Sequence, residues 1–246
     1  PFFFVQIADP QFGFFDLNKS FTKETELYER AVKAINKLAP DFVVITGDLV
    51  HDRKDQSQIK EFKRITGEIN SKIPVYYTPG NHDIGNTPTQ SDIDEFVSEY
   101  GSDKFSFTHK KSAFIGFNSC IIKANTPELE QKQLDWLKKE LEKNKKAKHI
   151  ILFCHHPFFV KTFDEEEFYF NIPFEKRNKY ISLFLENKVD AVIAGHLHNN
   201  ATTKYKNLEV ITTSAVGKPL AEVPSGIRVI KVYPDRIETN YYSLDE

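Results

Sequence analysis

Five short apolar runs, each ending abruptly in polar, metal-capable residues, constrain this chain more than any other feature. They are Phe2 to Ala8, Phe42 to Thr46, Val75 to Tyr77, His149 to Cys154 and Ala191 to Ala194. The runs are continuous rather than alternating, as in strands buried on both faces. Helical spacing lies between them. Leu27, Ala31, Ala34, Ile35 and Leu38 mark a helix over 22–38, and Ile59, Phe62, Ile65 and Ile69 one over 57–70. Leu129, Leu134, Leu137 and Leu141 mark a third over 127–143, with Thr126-Pro127 as cap and first-turn proline. Residues 176–187 form a shorter candidate helix. Residues 208–214, 227–233 and 236–242 read as strands with little helix between them, and 104–108 with 112–118 as a pair in mid-chain. The reading is α/β: β-rich layers flanked by helices, partly built from βα units.

Length and composition narrow the class. A chain of 246 residues, 40% apolar, fits one large domain over 1–246 with a sizeable core. Lys plus Arg total 33 against 35 for Asp plus Glu, a net charge of −2, which removes the broad electrostatic case for nucleic acid or a basic membrane-surface role. Cys120 and Cys154 are the only cysteines, so a disulfide framework is excluded and buried thiols are expected. No apolar stretch reaches the roughly 18 residues needed to span a membrane. Pro1-Phe2-Phe3-Phe4 lacks the marks of a signal peptide. Methionine is absent even at position 1, so whether a segment precedes Pro1 is left open. A cytoplasmic monomer is the expectation.

The strand tips carry the chemistry. Asp9 follows the first run, Asp48 the second, Asn81-His82-Asp83 the third, His155-His156 the fourth and His196-Leu197-His198 the fifth. Ligands bind beyond the carboxyl ends of strands in open α/β sheets, so five tips in shared sheets can converge on one rim. Carboxylates and imidazoles suit zinc, manganese and iron, and the lack of cysteine at the tips argues against a closed structural zinc site. Two His, two Asp and one Asn exceed the needs of one metal. They suggest two divalent ions bridged by a carboxylate, a pair that activates water and clamps a phosphoryl group. Each fragment alone is more often a turn or hydrogen-bonded loop; the ordered set of five favours a metal site.

At Asp9, Gly47-Asp48, Gly80-Asn81-His82-Asp83, His155 and Gly195-His196-Leu197-His198 the sequence resembles the calcineurin-like metallophosphoesterase superfamily. The finer resemblance is to the calcineurin-like phosphoesterase domain-containing protein 1 group. It rests on Ala8-Asp9-Pro10-Gln11-Phe12-Gly13, on residues 80–89 (Gly-Asn-His-Asp-Ile-Gly-Asn-Thr-Pro-Thr) and on Tyr241-Tyr242-Ser243-Leu244-Asp245-Glu246. The resemblance implies a four-layer αββα sandwich with two central mixed sheets. It implies that Asp48 bridges two metals, that Asp9 and His198 complete one site, and that Asn81, His155 and His196 complete the other. It implies that His82 assists the leaving oxygen, that Asp83 orients His82, and that a metal-activated water attacks a phosphomonoester, phosphoserine or phosphothreonine in proteins being the first candidate. A phosphodiesterase acting on a nucleotide or lipid headgroup is the second reading, and a weakly metal-binding interaction scaffold the third.

Two departures stand out. Most members have Asp-x-His at the first tip; here it is Asp9-Pro10-Gln11, and an amide oxygen is a weaker donor to a transition metal than imidazole. Gln11 is therefore a candidate ligand of altered strength. Large Ser/Thr phosphatases carry Gly-Asp-x-x-Asp-Arg and an arginine before Gly-Asn-His. Here Arg53 is one residue out of register and Pro79 fills the other place, so phosphate must be gripped differently. His51, His156, Phe168 and Tyr169 are candidate substrate contacts. The last two sit in an aromatic, acidic segment, 161–175, placed to overhang the rim. Residues 214–217 form a candidate opposite wall.

Overall fold

The computed structural model describes residues 1–245, so Glu246, the last residue of the terminal motif, lies outside the described residues. The strands make two mixed sheets. The first has the order β11 (Ile237–Ser243), β10 (Gly226–Val232), β1 (Phe2–Ile7), β2 (Val43–Thr46), β3 (Val75–Thr78), with β1, β2 and β3 parallel. The second has the order β4 (Phe105–His109), β5 (Ser112–Gly116), β6 (Ile150–Phe153), β7 (Ala191–Ala194), β9 (Leu208–Thr212), β8 (Ala201–Tyr205), with β5, β6, β7 and β9 parallel. The remaining pairings, β1–β10, β10–β11, β4–β5 and β8–β9, are antiparallel.

Side-chain alternation along β1 explains the layering. Phe2 and Phe4 join Phe42, Val44, Ile230 and Val232 of the first sheet against Phe114, Ile151, Phe153, Ile193 and Ile211 of the second. Val5 and Ile7 point the other way. They share a core with Tyr28, Ala31, Val32 and Ile35 of helix α1 (Thr22–Leu38) and Ile59, Phe62 and Ile65 of α2 (Gln56–Thr66). The outer face of the second sheet is covered by α6 (Pro127–Lys143), through Leu134, Leu137 and Leu141, and by α7 (Phe174–Glu186), through Tyr180, Ile181 and Phe184. The layers are helix, sheet, sheet, helix. Burial on both faces accounts for the unbroken apolar runs, each such side chain contributing about 1.5–3 kcal/mol.

Some elements differ from the sequence reading. Short α3 (Asn81–Ile84) and α5 (Ser119–Lys123) and the longer α4 (Gln90–Tyr100) were not predicted by periodicity. The signal for α4 lay in its cap, where Thr89 and Asp92 bond reciprocally to each other's backbone N–H. Strand β8 is a half-exposed edge without an apolar run, so a hydrophobic reading passes over it. Helix α6 starts at Pro127 as expected, but the Thr126 hydroxyl donates to Ile121 O at 2.9 Å and does not cap. Both cysteines are free and buried. No helix among the described residues is long and apolar enough to cross a membrane.

Candidate metal centre

The five tips meet on one rim, and those after β1, β2 and β7 end in sharp reversals. Asp9, Gln11, Asp48, His196 and His198 all have positive φ, between 39° and 68°. This left-handed conformation is costly for non-glycine residues and concentrates at functional sites. Backbone bonds stitch the reversals together: Gln11 N–H donates to Asp48 O at 2.8 Å, and Gly195 N–H donates to His155 O at 3.0 Å. Gly80 is required by close approach, since a Cβ there would lie 2.1 Å from Asp48 Oδ1 and 2.2 Å from Asp48 N. A Cβ on Gly195 would lie 2.5 Å from Asp9 Oδ2. The two glycines open room for the two carboxylates.

The donor atoms converge. His155 Nε2 lies 3.3 Å from Asp48 Oδ2, 3.1 Å from Asn81 Oδ1 and 3.0 Å from His196 Nδ1. Asp9 Oδ1 lies 3.5 Å from His198 Nε2. Asp9, Asp48 and His155 each offer an atom within 4.8 Å of the others, and so do His155, His156 and His196. Backbone carbonyls set the ring orientations: His155 Nδ1–H donates to Thr46 O at 2.9 Å and His198 Nδ1–H to Lys218 O at 2.6 Å. Each ring thus turns Nε2 toward the carboxylates, the outer-sphere arrangement typical of metal-ligating histidines. His196 Nε2 and Gln11 Oε1 are buried without a hydrogen-bond partner. Buried carboxylates, imidazoles and an amide oxygen packed this closely fit divalent cations.

The electrostatics agree with this crowding. Burial raises Asp9 to about 6, against the pull of His198 and His155. Burial would raise Asp48 too, but the imidazoles around it, His155 foremost, hold it well below the usual carboxylate range. Burial opposes a charge on His155, yet Asp48 and Asp9 outweigh it and lift its pKa to about 9. Burial and the neighbouring His155 push His196 down to about 3. A cation entering here must displace the proton His155 carries.

His82 sits at the edge of the cluster. Its backbone N–H donates to Asp48 Oδ1 at 2.9 Å, and its Nδ1–H donates to His51 O at 2.9 Å. This corrects the role the resemblance implied for Asp83. The Asp83 carboxylate is taken by the N–H groups of Gly80 (2.8 Å) and Leu49 (2.9 Å), so it ties the second tip to the third while His51 O orients His82. Burial, with Asp48 close by, lifts Asp83 to about 8. Gln11 Nε2 lies 3.1 Å from His51 Nδ1. His82, His51, Asn81, Arg53, Asn86 and Tyr169 line a cleft of about 340 Å³.

The outlying candidates divide. Tyr169 reaches the rim, its hydroxyl 3.2 Å from Asn81 Nδ2 and its ring over His196. Phe168 instead stacks on Phe170 and lies outside the cleft lining. His156 is buried, with Nδ1 3.2 Å from Ser119 Oγ and its ring against His196, so it has no face on the cleft and braces His196 from behind. Residues 214–216 are buried too. Val216 N–H donates to Ala8 O and Gly217 N–H to Asp9 O, so this segment supports the first tip and is not a wall. Sequence reasoning passed over Phe14, Thr46 and Lys218. Thr46 and Lys218 act through backbone carbonyls, which carry no residue-type signal.

A family model described as calcineurin-like phosphoesterase matches residues 4–200. The serine/threonine-protein phosphatase CPPED1 of Rattus norvegicus is 37% identical over 265 residues, covering 100% of this chain and 85% of the relative. Among solved structures, a dimetal phosphatase from Danio rerio aligns with TM-score 0.74 at 15% identity, covering 99% of this chain and 96% of its own. A purple acid phosphatase from yellow lupin (Lupinus luteus) aligns with TM-score 0.72 at 16% identity, covering 99% and 52%. The two structures share the fold, and the match of residues 4–200 carries the rim motifs with it: the chain belongs to the calcineurin-like phosphoesterase family, a family of hydrolases.

Proposed function

We propose that this chain, as one domain over 1–246, is a dinuclear metal-dependent phosphomonoesterase acting on phosphoserine or phosphothreonine in proteins. The observation that carries the reading is the meeting of Asp48 Oδ2, Asn81 Oδ1 and His196 Nδ1 around His155 Nε2. Asp48, Asn81, His155 and His196 would hold one ion. Asp9, His198 and Asp48, with Gln11 Oε1, would hold the other. Manganese, iron and zinc all suit these donors. When bound, such ions supply charge neutralisation at the phosphoryl oxygens and activation of the attacking water.

The chain's own groups do the rest. His82 spends Nδ1 on His51 O, which leaves Nε2 as the nitrogen that can hold and deliver a proton to the leaving seryl oxygen. Arg53 lines the cleft with its Nη1 held by Asp92 at 2.6 Å, so its guanidinium is fixed in place for an anionic group. Tyr169 lines the same cleft and bounds the room for the rest of a peptide. The name of the rat relative supports protein phosphate as the substrate class.

The test uses three substrates: a phosphoserine peptide, an aryl phosphate and a bis-aryl phosphate. Chelation is expected to abolish turnover, and Mn²⁺ to restore it, with the peptide preferred. Full turnover by verified metal-free protein would overturn the metal reading. Preference for the bis-aryl ester would replace monoesterase with diesterase.

A further inference from the structure

We propose that Gln11 and His51 are positioning residues for His82, linking the unusual first strand tip to the group that handles the leaving-group proton. The proposal deepens the phosphoesterase reading and rests on it for the role of His82.

Three aromatic rings lie in file. Phe14 stacks on His51, with centroids 5.1 Å apart and planes 25° apart, and His51 stacks on His82 at 4.6 Å and 22°. Both faces of the His51 ring are therefore covered. Residue 51 holds His82 twice, by its backbone oxygen on Nδ1 and by its ring on the face of the imidazole. This differs from the direct substrate contact that the sequence suggested for His51.

Gln11 locks the middle ring. An amide nitrogen can only donate, so Gln11 Nε2–H donates to His51 Nδ1 across 3.1 Å, and the proton of a neutral His51 sits on Nε2. The same amide leaves Oε1 buried and without a partner. One planar group thus presents a donor to the stack and an acceptor to the buried interior of the rim. Burial restricts the motion of this amide, since Gln11 is only 2% exposed. On this view Gln11 does a job that differs from ligation alone.

The experiment combines spectroscopy and kinetics on metal-loaded protein. In zinc-loaded wild type, ¹⁵N-histidine NMR is expected to find His51 Nδ1 unprotonated, and Gln11→Leu to abolish that preference. In Mn²⁺-loaded protein, His51→Ala is expected to lower kcat on an aryl phosphate about tenfold, the lower end for an outer-sphere partner, with KM and metal content unchanged. His51→Phe keeps the stack but loses the Gln11 bond, so it is expected to recover only part of kcat, to about threefold below wild type, and Gln11→Leu, which breaks the same bond, to fall by a similar factor at equal metal content. A raised KM with intact kcat would make His51 a substrate contact and overturn the proposal. Loss of metal in both His51 variants would overturn it too, as would a wild-type His51 protonated on Nδ1. If wild type hydrolyses none of the phosphate esters with any metal, the functional reading fails, and the tautomer measurement alone decides the Gln11–His51 link.

Discussion

At the amino ends of β1 and β2 the two sheets meet through phenyl rings, and at the carboxyl ends of the same strands they meet through polar groups. Phe4 stacks on Phe42 at 4.6 Å, Phe42 meets Phe114 edge-on at 4.8 Å, and Phe4 meets Phe114 at 5.5 Å. One pleat further along, Gln6 donates to Thr46 Oγ1 at 2.7 Å and pairs across the sheet with Arg228. Arg228 is buried with no carboxylate among the described residues bonded to it, held by Thr213 Oγ1 at 2.6 Å and Asn200 Oδ1 at 2.8 Å, and burial lowers its pKa to about 10. Two or three residues beyond that come Asp9 and Asp48, in left-handed conformations. The aromatic end gains dispersion and apolar burial from stacked and edge-on rings. The rim end gathers like charges, orphaned acceptors and strained backbone. Stability and chemistry are thus separated along a few residues of strand, the aromatic end offsetting what the rim costs.

That contrast can be broken by experiment. The largest effect is expected for Asp48→Asn. Turnover should fall by roughly 10³-fold, the order lost when a principal electrostatic group is removed, together with metal content. Urea unfolding of the metal-free variant should register the lost Asp48–His155 pair, by less than the ring deletion that follows. A matching loss of stability would mean that the rim is part of the structural core.

Phe114→Ala should do the converse. It removes a fully buried ring and is expected to cost about 3–5 kcal/mol in unfolding free energy while leaving kcat per folded molecule within about twofold. A large drop in kcat at unchanged stability would erase the division between the ends.

Arg228→Met probes the boundary. Asn200 Oδ1, which accepts from Arg228, also accepts from Ser214 N–H at 3.1 Å and follows the His196–His198 turn closely. Metal affinity by calorimetry is expected to weaken about tenfold, as for other outer-sphere groups. The thermal midpoint should stay level or rise, because an unpaired buried charge is replaced by an apolar chain. A sharply lower midpoint with normal metal affinity would assign Arg228 to the fold instead.

The smallest effect is expected for Tyr169→Phe, which deletes only the hydroxyl on Asn81 Nδ2. Metal affinity should weaken by less than about tenfold, with a larger change in KM for a phosphopeptide than for an aryl phosphate. Equal shifts in KM for both would mean that Tyr169 acts only through Asn81.

Much of this molecule was legible in the residues alone. Continuous apolar runs named the buried strands β1, β2, β6 and β7, and helical spacing placed α1 and α6 over 22–38 and 127–143. The cause is local: burial on two faces needs apolar residues at every position, and an amphipathic helix needs them at a 3.6-residue period. The tips were legible only as an ordered set of five, since metal-capable side chains after a single apolar run more often make a turn or hydrogen-bonded loop. Edge strand β8 and short helices α3 and α5 carry no such period and stayed hidden.

What the tertiary structure alone decided lies in contacts between residues distant along the chain. Asp83 looked like the partner of its neighbour His82, but its carboxylate was claimed by the N–H groups of Gly80 and Leu49. Gln11 sits 40 positions from His51, and their bond exists only because the first two tips turn toward each other. Phe168 and Tyr169 are adjacent and both aromatic, yet only one reaches the rim, because a loop presents successive side chains in different directions. His156, next to His155, turned inward for the same reason. Sequence determines which chemical groups are available and on which strand ends they stand. Hydrogen-bond partnership depends on angstrom-scale approach between segments far apart in the chain, and only the packed sheets set that distance.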